Sequence, residues 1–114
     1  MERVAGLKRG DIVTVAGGGY AGKPRPAIVL QDERFADIDT VVVCLLTTTR
    51  LDAPLLRVLV LADDLTGIAS DSWAMVDKVA AVKRKSVGQR VGRATAEQLA
   101  EIERRLLVLL GIAD

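Results

Sequence analysis

Apolar positions come in short strand-like runs from residue 11 to residue 92, and only beyond them do they recur at helical spacing. Asp11-Ile12-Val13-Thr14-Val15 alternates loosely as a strand and gives way to the glycine-rich loop Gly17-Gly18-Gly19-Tyr20-Ala21-Gly22. The same reading predicts strands at residues 26–31, 40–47, 56–61, 72–77 and 87–92. Between them lie stretches of turn chemistry: Asp32-Glu33-Arg34, Asp52-Ala53-Pro54, Asp63-Asp64-Leu65-Thr66-Gly67 and Lys83-Arg84-Lys85. Short strands in succession predict a small antiparallel sheet or barrel. The end of the chain differs. Thr95 with Gln98 three residues on makes a capping box, and Leu99, Ile102, Leu106, Leu109 and Leu110 follow at helical spacing before Gly111, so an amphipathic helix should pack on the sheet.

Composition narrows this picture. The 114 residues predict one domain, 1–114, and with 50% hydrophobic residues but a single Trp, Tyr and Phe its core must be aliphatic. The longest apolar run, Val41-Val42-Val43-Cys44-Leu45-Leu46, stops at Thr47, far short of a membrane span. The N-terminal residues lack the apolar segment of a signal peptide, so a cytoplasmic protein is expected. One cysteine fits that compartment, and Cys44, inside an apolar run in a chain without histidine, reads as a buried small hydrophobe rather than a nucleophile.

A net charge of +1 conceals basic ends and an acidic middle. Lys83, Arg84, Lys85, Arg90 and Arg93 form a stretch without an acid, which reads either as the footprint of a polyanion or as a solvated strand edge. The sharper feature is Lys23-Pro24-Arg25-Pro26, directly before Ala27-Ile28-Val29-Leu30. Pro26 drives Arg25 to an extended backbone, and both prolines fix their own φ, so a five-donor cation is held at a strand entrance with little freedom. Such a mount suits a phosphate. Gly17 to Lys23 also spells G-x-x-x-x-G-K, but Pro24 stands where a phosphate-binding loop needs Ser or Thr and the start of a helix, which argues against nucleotide hydrolysis.

Without histidine and with one cysteine, a structural zinc site and a serine–histidine nucleophile are excluded, and Asp63-Asp64 and Asp37-x-Asp39 read as turn residues before magnesium ligands. RNA cleavage by the RNA's own 2′-hydroxyl remains open. There the protein holds the backbone in line, neutralises charge on the phosphorane and helps move protons. Arg25 and the strand-end Thr47 are suited to this, although arginine, as a residue type that stays protonated, makes a poor general base. Structural roles stand beside these: Arg25 as the partner of an acid such as Asp77, and the threonines as strand formers.

Arg9-Gly10-Asp11-Ile12-Val13, Lys23-Pro24-Arg25-Pro26-Ala27-Ile28-Val29-Leu30, Val41-Val42-Val43-Cys44-Leu45-Leu46-Thr47-Thr48 and Asp71-Ser72-Trp73-Ala74-Met75-Val76-Asp77-Lys78-Val79 together resemble the MazF/PemK family of toxin endoribonucleases. The likeness runs over nearly the whole chain. It implies a mainly β fold, an SH3-like antiparallel barrel with a C-terminal helix, forming a homodimer. It also implies metal-independent and cofactor-independent cleavage of single-stranded RNA, usually mRNA, leaving 2′,3′-cyclic phosphate and 5′-hydroxyl ends and inhibited by a cognate antitoxin. The family's catalytic arginine falls on Arg25 and its threonine on Thr47, with Thr48 as the register alternative. Lys23, Arg50, Ser72 and Lys78 would contact RNA, and Tyr20 on the glycine loop either stacks on a base or packs over the barrel. Where many members carry an arginine this chain has Ala80, so that phosphate contact is either missing or supplied by Lys83 or Arg84. An antitoxin competing with RNA should be acidic and pair with Arg25, Lys23 and Lys78. Two non-enzymatic readings remain: a gyrase poison of the CcdB type, sharing the barrel and acting through protein contacts, and an SH3-like module that binds RNA or peptide without cutting it.

Overall fold

The computed structural model describes residues 6–16 and 23–114. Its strands are β1 (Asp11–Val15), β2 (Arg25–Val29), β3 (Thr40–Thr47), β4 (Arg57–Val60), β5 (Ser72–Lys83) and β6 (Val87–Arg93), with 3₁₀ turns at Glu33–Phe35 and Arg84–Ser86 and one helix, α1 (Ala96–Leu109). The strands form one antiparallel sheet in the order β4-β5-β3-β2-β1-β6. β5 runs on to Lys83, past the end expected at 77, because β3 pairs with it along its whole length, from Thr47↔Trp73 to Thr40↔Lys83. An irregularity opposite Cys44 to Leu46 absorbs the extra β5 residues, and the polar pair Asp77-Lys78 that interrupts the apolar pattern falls there.

The expected barrel is not closed by strand pairing. β4 and β6 are the sheet's two edges, and the loop after β4 bridges them, with Arg93 N–H donating to Leu65 O at 2.9 Å. The approach is so close that a Cβ on Gly92 would lie 2.2 Å from Thr66 O, so only glycine fits there. Asp63 builds the loop by accepting from Leu65 N and Thr66 N, both at 2.9 Å, while the buried Thr66 hydroxyl donates to Leu61 O at 2.7 Å.

Alternation along the strands sorts the apolar residues into two clusters, one on each face. The inner one gathers Ile12, Ile28, Cys44, Leu46, Val58, Val60, Ala74 and Val76 and is capped by Ile102 of α1 with Leu99 and Leu106. The outer one holds Val13, Val15, Ala27, Val29, Val41, Val43, Leu45 and Val87. The helix starts at the expected capping box on Thr95 and Gln98. It ends at Gly111, whose φ of 75° supports bonds from Gly111 N to Val108 O and from Ile112 N to Leu107 O. The helical spacing overreached at its end: Leu109 and Leu110, expected on the packed face, are exposed together with Leu107, Val108 and Ile112. No helix among the described residues is long and apolar enough to cross a membrane.

Candidate active site

Pro26 shapes the entrance of β2. Leu30 N–H donates to Val42 O, so the even residues of β2 turn their N–H groups toward β3, and the missing N–H of Pro26 is the one that would reach Leu46 O. The β2–β3 pairing accordingly ends at Ala27↔Leu45. Continued two residues along both strands, that register sets Arg25 opposite Thr47, where the strands are free of ladder bonds. Both residues fall on the face that carries Ala27, Val29, Val43 and Leu45. Registers on either side extend the level into one row across the sheet: Val87, Val15, Arg25, Thr47, Trp73 and Leu59.

The Arg25 side chain is exposed and makes no ion pair or hydrogen bond among the described residues. The alternative structural role, pairing with an acid such as Asp77, is not what the fold shows for Asp77, which binds Arg57 at 2.5 Å and Lys78 at 3.5 Å. Thr47 Oγ1 accepts from Thr49 N–H at 3.1 Å, which leaves its own proton free to donate outward. Thr48 lies one residue beyond β3 and is exposed. A protonated guanidinium and a donor hydroxyl side by side on an open face are what a phosphodiester needs to be gripped at its non-bridging oxygens.

Residues 8–110 match the family described as the PemK-like, MazF-like toxins of type II toxin–antitoxin systems. The chain belongs to this family. It is 45% identical over 108 residues to the probable endoribonuclease MazF of Mycolicibacterium smegmatis, covering 94% of this chain and 99% of that protein. Its fold is similar to that of a chain in the MazE–MazF crystal structure (Form III) from Deinococcus radiodurans, with a TM-score of 0.79 at 22% identity over 94% of this chain and 98% of the other. An endoribonuclease from a mycobacterial species, solved in complex with its cognate antitoxin, gives 0.77 at 22% identity over 95% and 98%. The protein is thus a toxin endoribonuclease of a toxin–antitoxin system, and its fold is the MazF fold.

The remaining candidate residues of the toxin divide sharply. Lys23 is exposed two positions before Arg25, and Arg50 is exposed in the loop after β3; neither has a partner among the described residues. Ser72 is not on this face. It is 2% exposed, on the inner side with Ala74 and Val76, and its hydroxyl donates to Ser70 O at 2.9 Å, because strand alternation turns it to the core and its neighbour Trp73 outward. Lys78 is exposed and paired with Asp77. Lys83 and Arg84 sit at the opposite end of β3, roughly 24 Å of strand from Thr47. Arg84 is further committed to Ile38 O at 2.5 Å and Phe35 O at 3.2 Å. Within the basic stretch, Arg90 and Arg93 both pair with the buried Asp11. Tyr20 and the loop 17–22 lie outside the described residues.

Two residues on the site side escaped the sequence reading. Arg57, whose side chain is 9% exposed, is held by Asp77 and by Leu56 O at 3.0 Å. Desolvation pushes the Asp77 carboxyl up, but the hydrogen bond and charge of Arg57, with Lys78 beside it, prevail and hold it below its ordinary value. Trp73 stands directly across from Thr47, and parity with the inward-facing Ala74 and Val76 was the signal that marks it as outward. Cys44 is fully buried, and burial, with the charge of Asp77, pushes its thiol up to about 12, so it is no nucleophile at neutral pH.

Proposed function

We propose that the toxin cuts single-stranded RNA, mRNA above all, without a metal ion or cofactor, through Arg25 and Thr47. The 2′-hydroxyl attacks the adjacent phosphorus and the bond to the 5′-oxygen breaks. A 2′,3′-cyclic phosphate and a 5′-hydroxyl result; the 2′-proton leaves to solvent and the 5′-oxygen gains one. Arg25 neutralises the phosphorane and stands as the proton donor, and Thr47 donates to a non-bridging oxygen. The observation that supports this most is the juxtaposition of Arg25, its side chain without a partner among the described residues, and an outward-donating Thr47 across two strands. Lys23 and Arg50 flank them as backbone contacts, and Lys78 is a more distant one.

The partner we infer is an acidic antitoxin segment, disordered until bound, which covers the same cations. The working unit we infer is a cytoplasmic homodimer of the single domain 1–114, a reading supported by the exposed apolar helix end, Leu107 to Leu110 and Ile112. The experiment is incubation of the antitoxin-free protein with a long single-stranded RNA and the matching DNA in EDTA, beside Arg25→Ala, with the product ends mapped. Cleavage of RNA alone, lost in Arg25→Ala and leaving cyclic phosphate ends, is expected. A gyrase poison or a binding module would leave every RNA intact.

A further inference from the structure

Beside the Arg25–Thr47 pair the surface opens into a cleft of about 760 Å³, within the range of small-ligand sites. Trp73 and Leu59 form its sheet wall, the loop from Arg50 to Pro54 its rim, and Arg57 and Arg105 its base. Arg105 is spent on structure, donating to Glu101 at 2.7 Å, to Arg57 O at 2.8 Å and to Pro54 O. Arg50 is not, and Arg57 keeps a buried Nε without a partner, the one such side-chain atom among the described residues. Buried donors are normally satisfied, so the orphaned Nε leaves Arg57 incompletely matched beneath the cleft, while Arg50 is the exposed cation open to a ligand. Asp52 is the only acid in the lining, and with Arg57 paired to Asp77 and Arg105 to Glu101, Arg50 is the cation of the cleft left to meet an anion.

The row across the sheet sets the scale. Neighbouring strands are about 4.8 Å apart, so Trp73 lies one strand from Thr47 and roughly 10 Å from Arg25. A phosphate gripped by Arg25 and Thr47 therefore leaves the adjoining nucleotide over Trp73. Resting on the ribonuclease reading above, we propose that this cleft is a nucleotide subsite: Trp73 stacks on the base flanking the cleaved bond, and Arg50 takes that nucleotide's phosphate. Trp73 is thus the residue through which the toxin weighs the base next to the cut. Stacking favours unpaired bases, since only a splayed base exposes its face, and an indole discriminates by ring size and stacking strength more than by hydrogen bonding.

Trp73 is the single tryptophan of the chain, so its emission reports this cleft alone. The probe is an RNA identified from cleavage mapping and made uncleavable by a 2′-deoxy substitution at the cut. It is compared with versions abasic at each position flanking the cut, and binding is followed in parallel by anisotropy. The intact probe should change the emission at saturation, and one abasic version should bind at least about fivefold more weakly and leave it unmoved. In cleavage, Trp73→Ala should lose about tenfold or more in kcat/KM and flatten the preference at one flanking base, while Trp73→Phe keeps most of both. The abasic probes act on the unmodified protein, so a folding defect in Trp73→Ala does not spoil the test.

If the toxin cuts RNA but Trp73 emission stays still at saturation and Trp73→Ala keeps rate and preference, the subsite is overturned and the ribonuclease stands. If no RNA is cut or bound, both fall. If an acidic peptide moves the emission and RNA does not, the cleft belongs to a protein partner and the nucleotide assignment is wrong.

Discussion

β3 ends in a cationic cleft at both tips, and the two are built for different work. At the Thr40 tip, Lys83, Arg84 and Lys85 surround a cleft of about 410 Å³, but Arg84 is fixed on the carbonyls of Ile38 and Phe35 and its own N–H bonds Asp39 O at 2.8 Å. That arginine staples the segment 33–39 to the sheet. At the Thr47 tip, Arg25 and Arg50 have no partner among the described residues, and the arginine that is tied down there, Arg57, keeps a donor unsatisfied. Counting cations does not separate the two tips, since the side chains of Lys83 and Lys85 are also exposed without a partner among the described residues; the arginines separate them, spent on carbonyls at the Thr40 tip and open at Arg25 and Arg50. Donors already matched within the fold cost little and offer little, whereas unmatched and exposed ones such as those of Arg25 and Arg50 are available to a ligand's oxygens.

The largest contrast should come from removing charge at one tip and then the other. Arg25→Ala should lower the RNA cleavage rate by about 10³-fold, while Lys83→Ala combined with Lys85→Ala should change it by less than about threefold. Single-turnover cleavage of the mapped RNA measures both. Equal losses at the two tips would show that the toxin uses the basic ends as one diffuse field, and the distinction drawn between the two ends of β3 would fail.

The second contrast lies within the Thr47 tip and turns on strand parity. Thr47 shares the outer face with Leu45 and Val43, and Thr48 is one residue beyond the strand. Thr47→Ala should cost about 10²-fold in kcat with KM nearly unchanged, since its hydrogen bond is made to developing charge. Thr48→Ala should cost little. A reversed result would mean that the strand end twists by one residue when RNA binds.

The third concerns Arg57, which links the sheet to the site without being free. Asp77→Asn removes the charge that holds it and should lower stability by about 3 kcal/mol at pH 7, at the low end for a broken buried pair because Asp77 is 26% exposed. For a domain of this size the melting temperature falls by about 10 °C. The Asp77 carboxyl is held below its ordinary value in the fold, so the unfolded chain binds the proton more readily. Its stabilisation is complete above about pH 4 and fades as pH falls through the lower folded value. The gap in melting temperature between the two proteins should therefore shrink from pH 7 to pH 3. A constant gap would place the loss in packing rather than charge.

Much of this was legible before any coordinates. The helix start was readable because capping is local: Thr95 and Gln98 are three residues apart and bond each other. Five of the six strands were readable near their true limits because two-residue periodicity needs only a short window. Arg25 was readable because prolines on both sides leave its backbone one place to go. What stayed hidden were partnerships between distant residues, such as Arg57 with Asp77, Arg84 with Phe35 and Arg90 with Asp11, the last 79 positions apart. Charge patterning could not say which cations were already bound, and so it left Arg84, Arg90 and Arg93 open between a polyanion footprint and a solvated strand edge, whereas the fold uses them for itself. Ser72 was misplaced for a smaller reason, since the parity of its strand was available from Ala74 and Val76.

The smallest contrast tests whether a staple is only a staple. Arg84→Ala deletes two hydrogen bonds to loop carbonyls at an exposed position, each worth about 0.5–1 kcal/mol net, so the melting temperature should drop by a few degrees. Cleavage of RNA at a temperature where both proteins are folded should stay within about twofold of the parent. Hydrogen exchange should rise in residues 33–39 and stay unchanged at residues 45–47, because the loosened loop sits at the far end of β3. If Arg84→Ala instead slowed cleavage strongly while the fold held, the two tips would be coupled through β3. The unmatched donors at the Thr47 end would then be only half of the machinery.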